Sequence, residues 1–332
     1  MAGVTCVGWT SEGKSEQWAH ESEVPHAVWL QERRAFAELG IEDVFFVECT
    51  PRYPIMEKLV KPLAKTHRMV WVIDGPEYHG HPSKRRRIIG AGVVLSRKSW
   101  CGPESQDEIA EYYARRFHRG TVLSADVYKL ASKDEYMKQL VGLARVQRNM
   151  VNATAIESLP NRETLELILP PGAWERYNEW SSVVQNSDVE SLWVDLEHHP
   201  GSRGASQGQD VPVLMRNATI MQVSSTPEHW YMLTGLEHLT AMGFHVHPAH
   251  VEAHGASSRG ASILAELPDT MLKQFAGNGM HLKTQAAWFI YVMSNISPHI
   301  DGSSGSSTRG DHGSSPSKLR ASESWDDIPE DF

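Results

Sequence analysis

Val44-Phe45-Phe46-Val47-Glu48-Cys49-Thr50 is a continuous apolar run that ends in a carboxylate. Four apolar residues in a row, without alternation, suit a strand buried on both faces of a parallel sheet. Met69-Val70-Trp71-Val72-Ile73 is a second such run, ending at Asp74, and Ile88-Ile89-Gly90-Ala91-Gly92-Val93-Val94-Leu95 is a third. Helical patterns come before and between them. Pro25 opens one over residues 25 to 39, with Val28, Leu30, Ala35 and Leu39 on its stripe and Gly40 as its stop. Another starts near Pro54 and carries Met56, Leu59, Val60 and Leu63 at helical spacing. Strand, helix, strand, loop, strand predicts an α/β fold, half of a doubly wound domain. In a parallel sheet of that kind Glu48 would face a ligand site, because ligands sit beyond the carboxyl ends of the strands.

The bulk composition narrows the classes. A chain of 332 residues, 40% hydrophobic and 22% charged, suits about two globular domains and not a disordered or fibrous protein. Cys6, Cys49 and Cys101 form no CxxC pair and follow no secretory leader, which argues against a disulfide scaffold or a cysteine-based zinc knuckle. The expected setting is reducing and intracellular, nuclear for a eukaryotic source, with thiols available as nucleophiles. No apolar run reaches about 18 residues, so no membrane span is predicted. The formal charge of −9 does not announce a polyanion partner, but its distribution is uneven. Lys84-Arg85-Arg86-Arg87 and Arg115-Arg116-Phe117-His118-Arg119 are basic clusters, each readable as a solvated surface or as a phosphate contact.

The remaining chain divides by character. Residues 7 to 22 are polar and read as a mobile loop. Ser105-Gln106-Asp107-Glu108, Ser132-Lys133-Asp134-Glu135 and Thr234-Gly235-Leu236-Glu237 are capping-box patterns that should each open a helix. Between the first and the last of them little periodicity is visible, and an irregular module is expected over 96–230, with a loop at 201–208. His245, His247, His250 and His254 resemble a metal-ligand set, but Pro248 and the missing carboxylate favour a polar loop. The last predicted element runs from Leu282 to Ile296, with Ala286, Phe289, Ile290 and Met293 on one face, and the Gly/Ser-rich stretch 297–332 reads as a disordered tail.

Taken in order, these segments resemble the C5-cytosine DNA methyltransferase family. Gly3-Val4-Thr5-Cys6-Val7-Gly8 is similar to its Pro-Cys-Gln nucleophile loop, and Phe46-Val47-Glu48-Cys49-Thr50 to its Glu-Asn-Val strand end. His81-Pro82-Ser83-Lys84-Arg85-Arg86-Arg87 is similar to Pro-Gln-x-Arg-x-Arg, with Arg85 and Arg87 on the two arginine positions. Leu233-Thr234-Gly235-Leu236-Glu237 through Gly243-Phe244 looks like the Leu-Thr-x-x-Glu…Gly-Phe motif, and Gly277-Asn278-Gly279 like the closing Gly-Asn turn.

The resemblance implies a partial doubly wound S-adenosylmethionine-dependent methyltransferase fold: a partial catalytic domain over 1–95, a target-recognition module over 96–230, and motifs with a returning helix over 231–296. It also implies the chemistry. Cytosine C5 is too weak a nucleophile to take a methyl group until a thiolate has added to C6, a role that falls to Cys6. Glu48 would then protonate N3, Arg87 would bind the cytosine carbonyl oxygen, and Arg85 a phosphate or the closed loop. Base flipping would bring the target base to these groups, and the loop 7–22 would close over it. Asn278, Gly277 and Gly279 would touch S-adenosylmethionine. The nucleic acid is DNA or, in a relative of the same fold, RNA. Thr5, Val7, Cys49, Thr50 and Ser83 depart from the family pattern. These 332 residues also hold no Phe-x-Gly-x-Gly segment, so most of the cofactor site is expected to be lacking. Exposed edges of such a halved sheet call for a partner chain or segment to complete it, and an inactive binding or scaffold fragment is the alternative reading.

Overall fold

The computed structural model describes residues 2–3, 20–120, 123–148, 162–202, 208–226, 229–254 and 258–298. The chain opens with β1 (Ala2–Gly3), α1 (Glu23–Glu38) and β2 (Val44–Cys49), followed by a π-helical turn (Met56–Val60) that runs into α2 (Lys61–Leu63). β3 (His67–Asp74) leads through a 3-10 turn (Pro76–His79) to β4 (Arg87–Val94), β5 (Lys98–Trp100) and α3 (Gln106–Phe117). Next come α4 (Lys133–Arg148), α5 (Arg162–Ile168), α6 (Pro171–Gln185), β6 (Ser191–Asp195), β7 (Ile220–Ser224) and β8 (Tyr231–Met232). The described chain closes with α7 (Gly235–Ala241), α8 (Pro248–His254), α9 (Ser258–Ala265), α10 (Asp269–Asn278), α11 (Leu282–Ser294) and β9 (Ile296–Pro298).

The first sheet has the order β1-β2-β4-β3. β1 runs parallel to β2, whereas β4 lies antiparallel between β2 and β3. The α/β class is as expected, but the sheet is mixed and not wholly parallel. Because β2 and β3 each pair antiparallel with β4, they point the same way, and Glu48 and Asp74 emerge at the same end. Strand alternation sorts the side chains into two layers. Phe45, Val47, Cys49, Met69 and Ile88 pack against Trp29, Leu30, Leu59 and Leu63 of α1, the π turn and α2. Phe46, Val70, Val72, Ile89 and Ala91 pack against Ile109 and Tyr113 of α3 and Trp288, Tyr291 and Val292 of α11. Both faces of the sheet are therefore covered, as double winding requires.

The described residues within 96–230 are not irregular. β6, β7 and β8 form an antiparallel three-stranded sheet. α4, α5 and α6 cover one face of it through Leu140, Leu165, Tyr177, Trp180 and Val184. Trp193 and Ile220 on its other face meet Leu239 of α7 and Leu272 and Ala276 of α10. The boundaries drawn at 95 and 230 cut through these cores: α3 belongs to the first sheet, and α7 and α10 belong to the second. Short strands and aromatic packing residues left too little period to read.

Of three further expectations, the first holds and the other two change. All three capping boxes form, at Ser105, Ser132 and Thr234. The 248–254 segment is helical after all, because Pro248 stands at the first position of α8, where its missing N–H costs nothing. On α11 the expected apolar face is reversed: Phe289, Ile290 and Met293 are exposed, while Trp288, Tyr291 and Val292 are buried. The helix is apolar nearly all round, and the face with the larger aromatic area went inward, each such side chain contributing roughly 3 kcal/mol on burial. Most of the loop 7–22, the loop residues 203–207 and the tail from 299 lie outside the described residues.

Candidate active site

Glu48 stands directly opposite Ile89 in the β2–β4 ladder, and Arg87 is two residues from Ile89 on the same face. The register thus sets Arg87 diagonal to Glu48 across a strand pair, within reach of a long side chain. Arg87 Nε lies 3.5 Å from Glu48 Oε1, and Arg85 Nε lies 3.9 Å from the same oxygen. Glu48 is only 9% exposed. Burial, the largest influence, pushes its carboxyl above the ordinary range, and the charges of Arg85 and then Arg87 offset that only in part. A buried carboxyl that takes up a proton more readily than usual suits a group that must donate one.

Arg85 is committed elsewhere than expected. Its Nη1 donates to the Leu214 carbonyl (3.2 Å), and its Nη2 to the carbonyls of Gly277 (3.3 Å) and Gly279 (2.7 Å). With its side chain 8% exposed, it serves as a clamp and not as a phosphate contact. The chain around it is held in the same way. Ser83 bridges to Val211, Lys84 N donates to Val211 O, Val211 N donates to Pro82 O, and Ser83 Oγ donates to Ala241 O. Residues 82–85 are therefore the seam between the two sheets, and that seam fixes the height of Glu48 and Arg87.

The expected cofactor residues sit on this seam. A Cβ on Gly277 would overlap the backbone of Met215 and Arg216, and the Gly277 and Gly279 carbonyls already accept from Arg85. These two glycines serve the seam and do not make a cradle. Asn278, at the end of α10, leaves its side chain exposed. One exposed amide does not amount to a site for S-adenosylmethionine.

Cys6 lies outside the described residues, but the strand before it is placed. Gly3 of β1 pairs with Glu48 of β2 in parallel register. Three residues on from Gly3, Cys6 can be at most about 11 Å from it along the chain. Glu237, by contrast, is a structural hub. Fully buried, it accepts from Leu130 N, Ala131 N, Tyr231 Oη and Thr234 N.

The Arg86 side chain, between the two aligned arginines, is 31% exposed. It pairs with Glu77 at 2.7 Å and lies 5.1 Å from the Tyr78 ring. Arg115 and Arg116 stack on Tyr112 from an exposed helix face. Sequence reasoning missed a cluster at the end of β3, where Asp74, His79, Tyr113 and His118 meet. Asp74 was legible as a strand end, but its partners come from a turn and from a helix some forty residues on.

No family model and no curated protein matches the chain. Among solved structures it is similar to the Schizosaccharomyces pombe Dnmt2 methyltransferase, at 13% identity and a TM-score of 0.41 over 76% of this chain and 67% of that one. It is also similar to the Entamoeba histolytica methyltransferase EhMeth, at 14% identity and a TM-score of 0.39 over 76% and 62%. A Spodoptera frugiperda DNMT2 mutant aligns at 10% identity and a TM-score of 0.35 over 76% and 66%. The chain spans about two thirds of the length of each. Among the described residues no helix is long and apolar enough to cross a membrane.

Proposed function

We propose that this chain carries the base-activating half of a cytosine-5 methyltransferase acting on a nucleic acid, with DNA as the first substrate to test and RNA as the second. The observation that carries the reading is the pairing of Gly3 with Glu48. It sets Gly3, three residues before Cys6 in the sequence, beside a buried carboxyl whose proton affinity is raised. The Cys6 thiolate adds to C6 of a flipped-out cytosine, and the electron pair displaced toward N3 takes the Glu48 proton. Arg87, half-buried and 3.5 Å from Glu48, would hold the cytosine carbonyl oxygen in the same plane. The addition leaves C5 nucleophilic. S-adenosylmethionine, when bound, would supply the methyl group, and a partner chain or segment would supply most of its site.

The activating step can be read without the cofactor. In heavy water the C6 adduct takes a deuteron at C5, loses the original C5 proton, and then expels the thiolate, so deuterium accumulates at C5. Mass spectrometry of duplex DNA and of RNA incubated with the purified chain should show this exchange; Cys6→Ala should abolish it, and Glu48→Gln should lower it by about 10²–10⁴. A folded chain that exchanges neither nucleic acid, over many sequence contexts, overturns the reading and leaves a scaffold.

A further inference from the structure

Asp74 ends β3 on the sheet face covered by α3, so its carboxylate meets the last turn of that helix. Tyr113 Oη donates to Asp74 Oδ2 at 2.6 Å, and Gly75 N donates to Oδ1 at 2.9 Å. His79 Nε2 lies 2.7 Å from Oδ2, and His118 Nε2 lies 3.3 Å from Oδ1. Among the described residues this is where histidine and carboxylate ligand atoms converge, all within 4.8 Å of one another.

We propose that Asp74, His79 and His118 bind a divalent first-row transition metal of the zinc type, with a fourth position open to solvent beside the part-exposed His118. Two imidazoles and a carboxylate are a donor set that such ions accept, whereas magnesium and calcium prefer all-oxygen sites. Tetrahedral bonds of about 2.0–2.1 Å put neighbouring ligand atoms roughly 3.3 Å apart. His118 Nε2 stands 3.3 Å from Asp74 Oδ1, which already has that value. His79 Nε2 stands 2.7 Å from the other oxygen, Oδ2, so a small shift of His79 and the carboxylate would bring both imidazoles to one coordinating oxygen.

The rest of the site is built to hold these groups. His118 Nε2 is buried and makes no aligned hydrogen bond, so the atom nearest to a ligand role is spare. Tyr78 stacks on the His118 ring at 4.8 Å and 13°, and the two histidine rings stand at 85° to each other, so both nitrogens face the carboxylate. Tyr113 holds the carboxylate from behind, as an outer partner of a metal ligand does. The nearby charges do not oppose a cation: Arg86 is neutralised by Glu77, and Arg87 is turned toward Glu48. The ligands come from the end of β3, the 3-10 turn and the residue after α3, so the ion would staple α3 to the sheet with one strand, β4, between it and Glu48.

The test uses the full chain stripped with a chelator and titrated with Co2+, then with Zn2+. The expected result is one equivalent of cobalt with visible d–d absorption, displaced by zinc, and a raised melting temperature. His118→Ala and His79→Ala should each lose at least about tenfold in affinity, and Tyr113→Phe about tenfold. X-ray absorption of the unaltered zinc-loaded chain should show nitrogen and oxygen ligands with imidazole scattering and no sulfur. No bound cobalt, a sulfur ligand, or undiminished binding in a folded His79→Ala/His118→Ala chain would overturn the proposal and leave the cluster a hydrogen-bonded hub.

Discussion

Glu48 and Asp74 are both buried carboxyls, at the ends of two strands that point the same way, on one face of one sheet. Their proton affinities move in opposite directions. Burial raises both, but at Glu48 it is opposed by the charge of two arginines at 3.9 and 3.5 Å, and the carboxyl stays above its usual range. At Asp74 burial is overcome by the close polar contacts of His118, His79 and Tyr113 together with the His79 charge, and the carboxyl falls to about 2. Nearby charge without close donors leaves a proton-exchanging group, whereas close donors make a permanent anion. One position can do acid chemistry and the other can hold a cation.

The largest effect should come from breaking the first of these. Glu48→Gln keeps the shape and removes the exchangeable proton, and C5 exchange should fall by about 10²–10⁴, read by mass spectrometry, with the fold kept by circular dichroism. Next is the second carboxyl. Asp74→Asn strips the charge from a buried hub and should destabilise the chain by about 3 kcal/mol in urea unfolding, while an unchanged midpoint would mean that its donors contribute nothing.

The contrast then sharpens in acid. Asp74 has a folded-state value below its ordinary value of 3.8, so its stabilisation is present above that and is lost as pH falls toward about 2, a loss of about 2 kcal/mol that Asp74→Asn should not show. Glu48 has the opposite sign. Its folded-state value is raised above 4.5, so the folded chain holds the proton longer, and stability should decline as pH rises above 4.5 until that carboxyl ionises. Unfolding midpoints of Glu48→Gln measured over that range should lack the decline. The smallest effect is remote from both: Ser105→Ala removes the cap of α3 and should cost about 1 kcal/mol in thermal unfolding, without touching either carboxyl.

The first sheet was far more legible than the second. Val44-Phe45-Phe46-Val47, Met69 to Ile73 and Ile88 to Leu95 are continuous apolar runs, and each became a strand within about two residues of its expected ends. The second unit hides its order in Tyr177, Trp180, Trp193 and Trp230, aromatic residues spaced by tertiary packing and not by one period. α11 shows the limit most clearly: a helix apolar on every side carries no local signal of which face turns inward.

What the sequence determined by itself is the three main strands of the first sheet, the helix before them and the three helix caps. Periodicity, capping boxes and motif order are local properties, and they survive without the fold. Only the tertiary structure decided that β4 inserts antiparallel, that Arg85 clamps Gly277 and Gly279, and that Asp74 gathers His79 and His118. Each of those depends on which distant segment arrives at a strand end. That in turn is set by the packing of whole faces, which no short window of sequence contains.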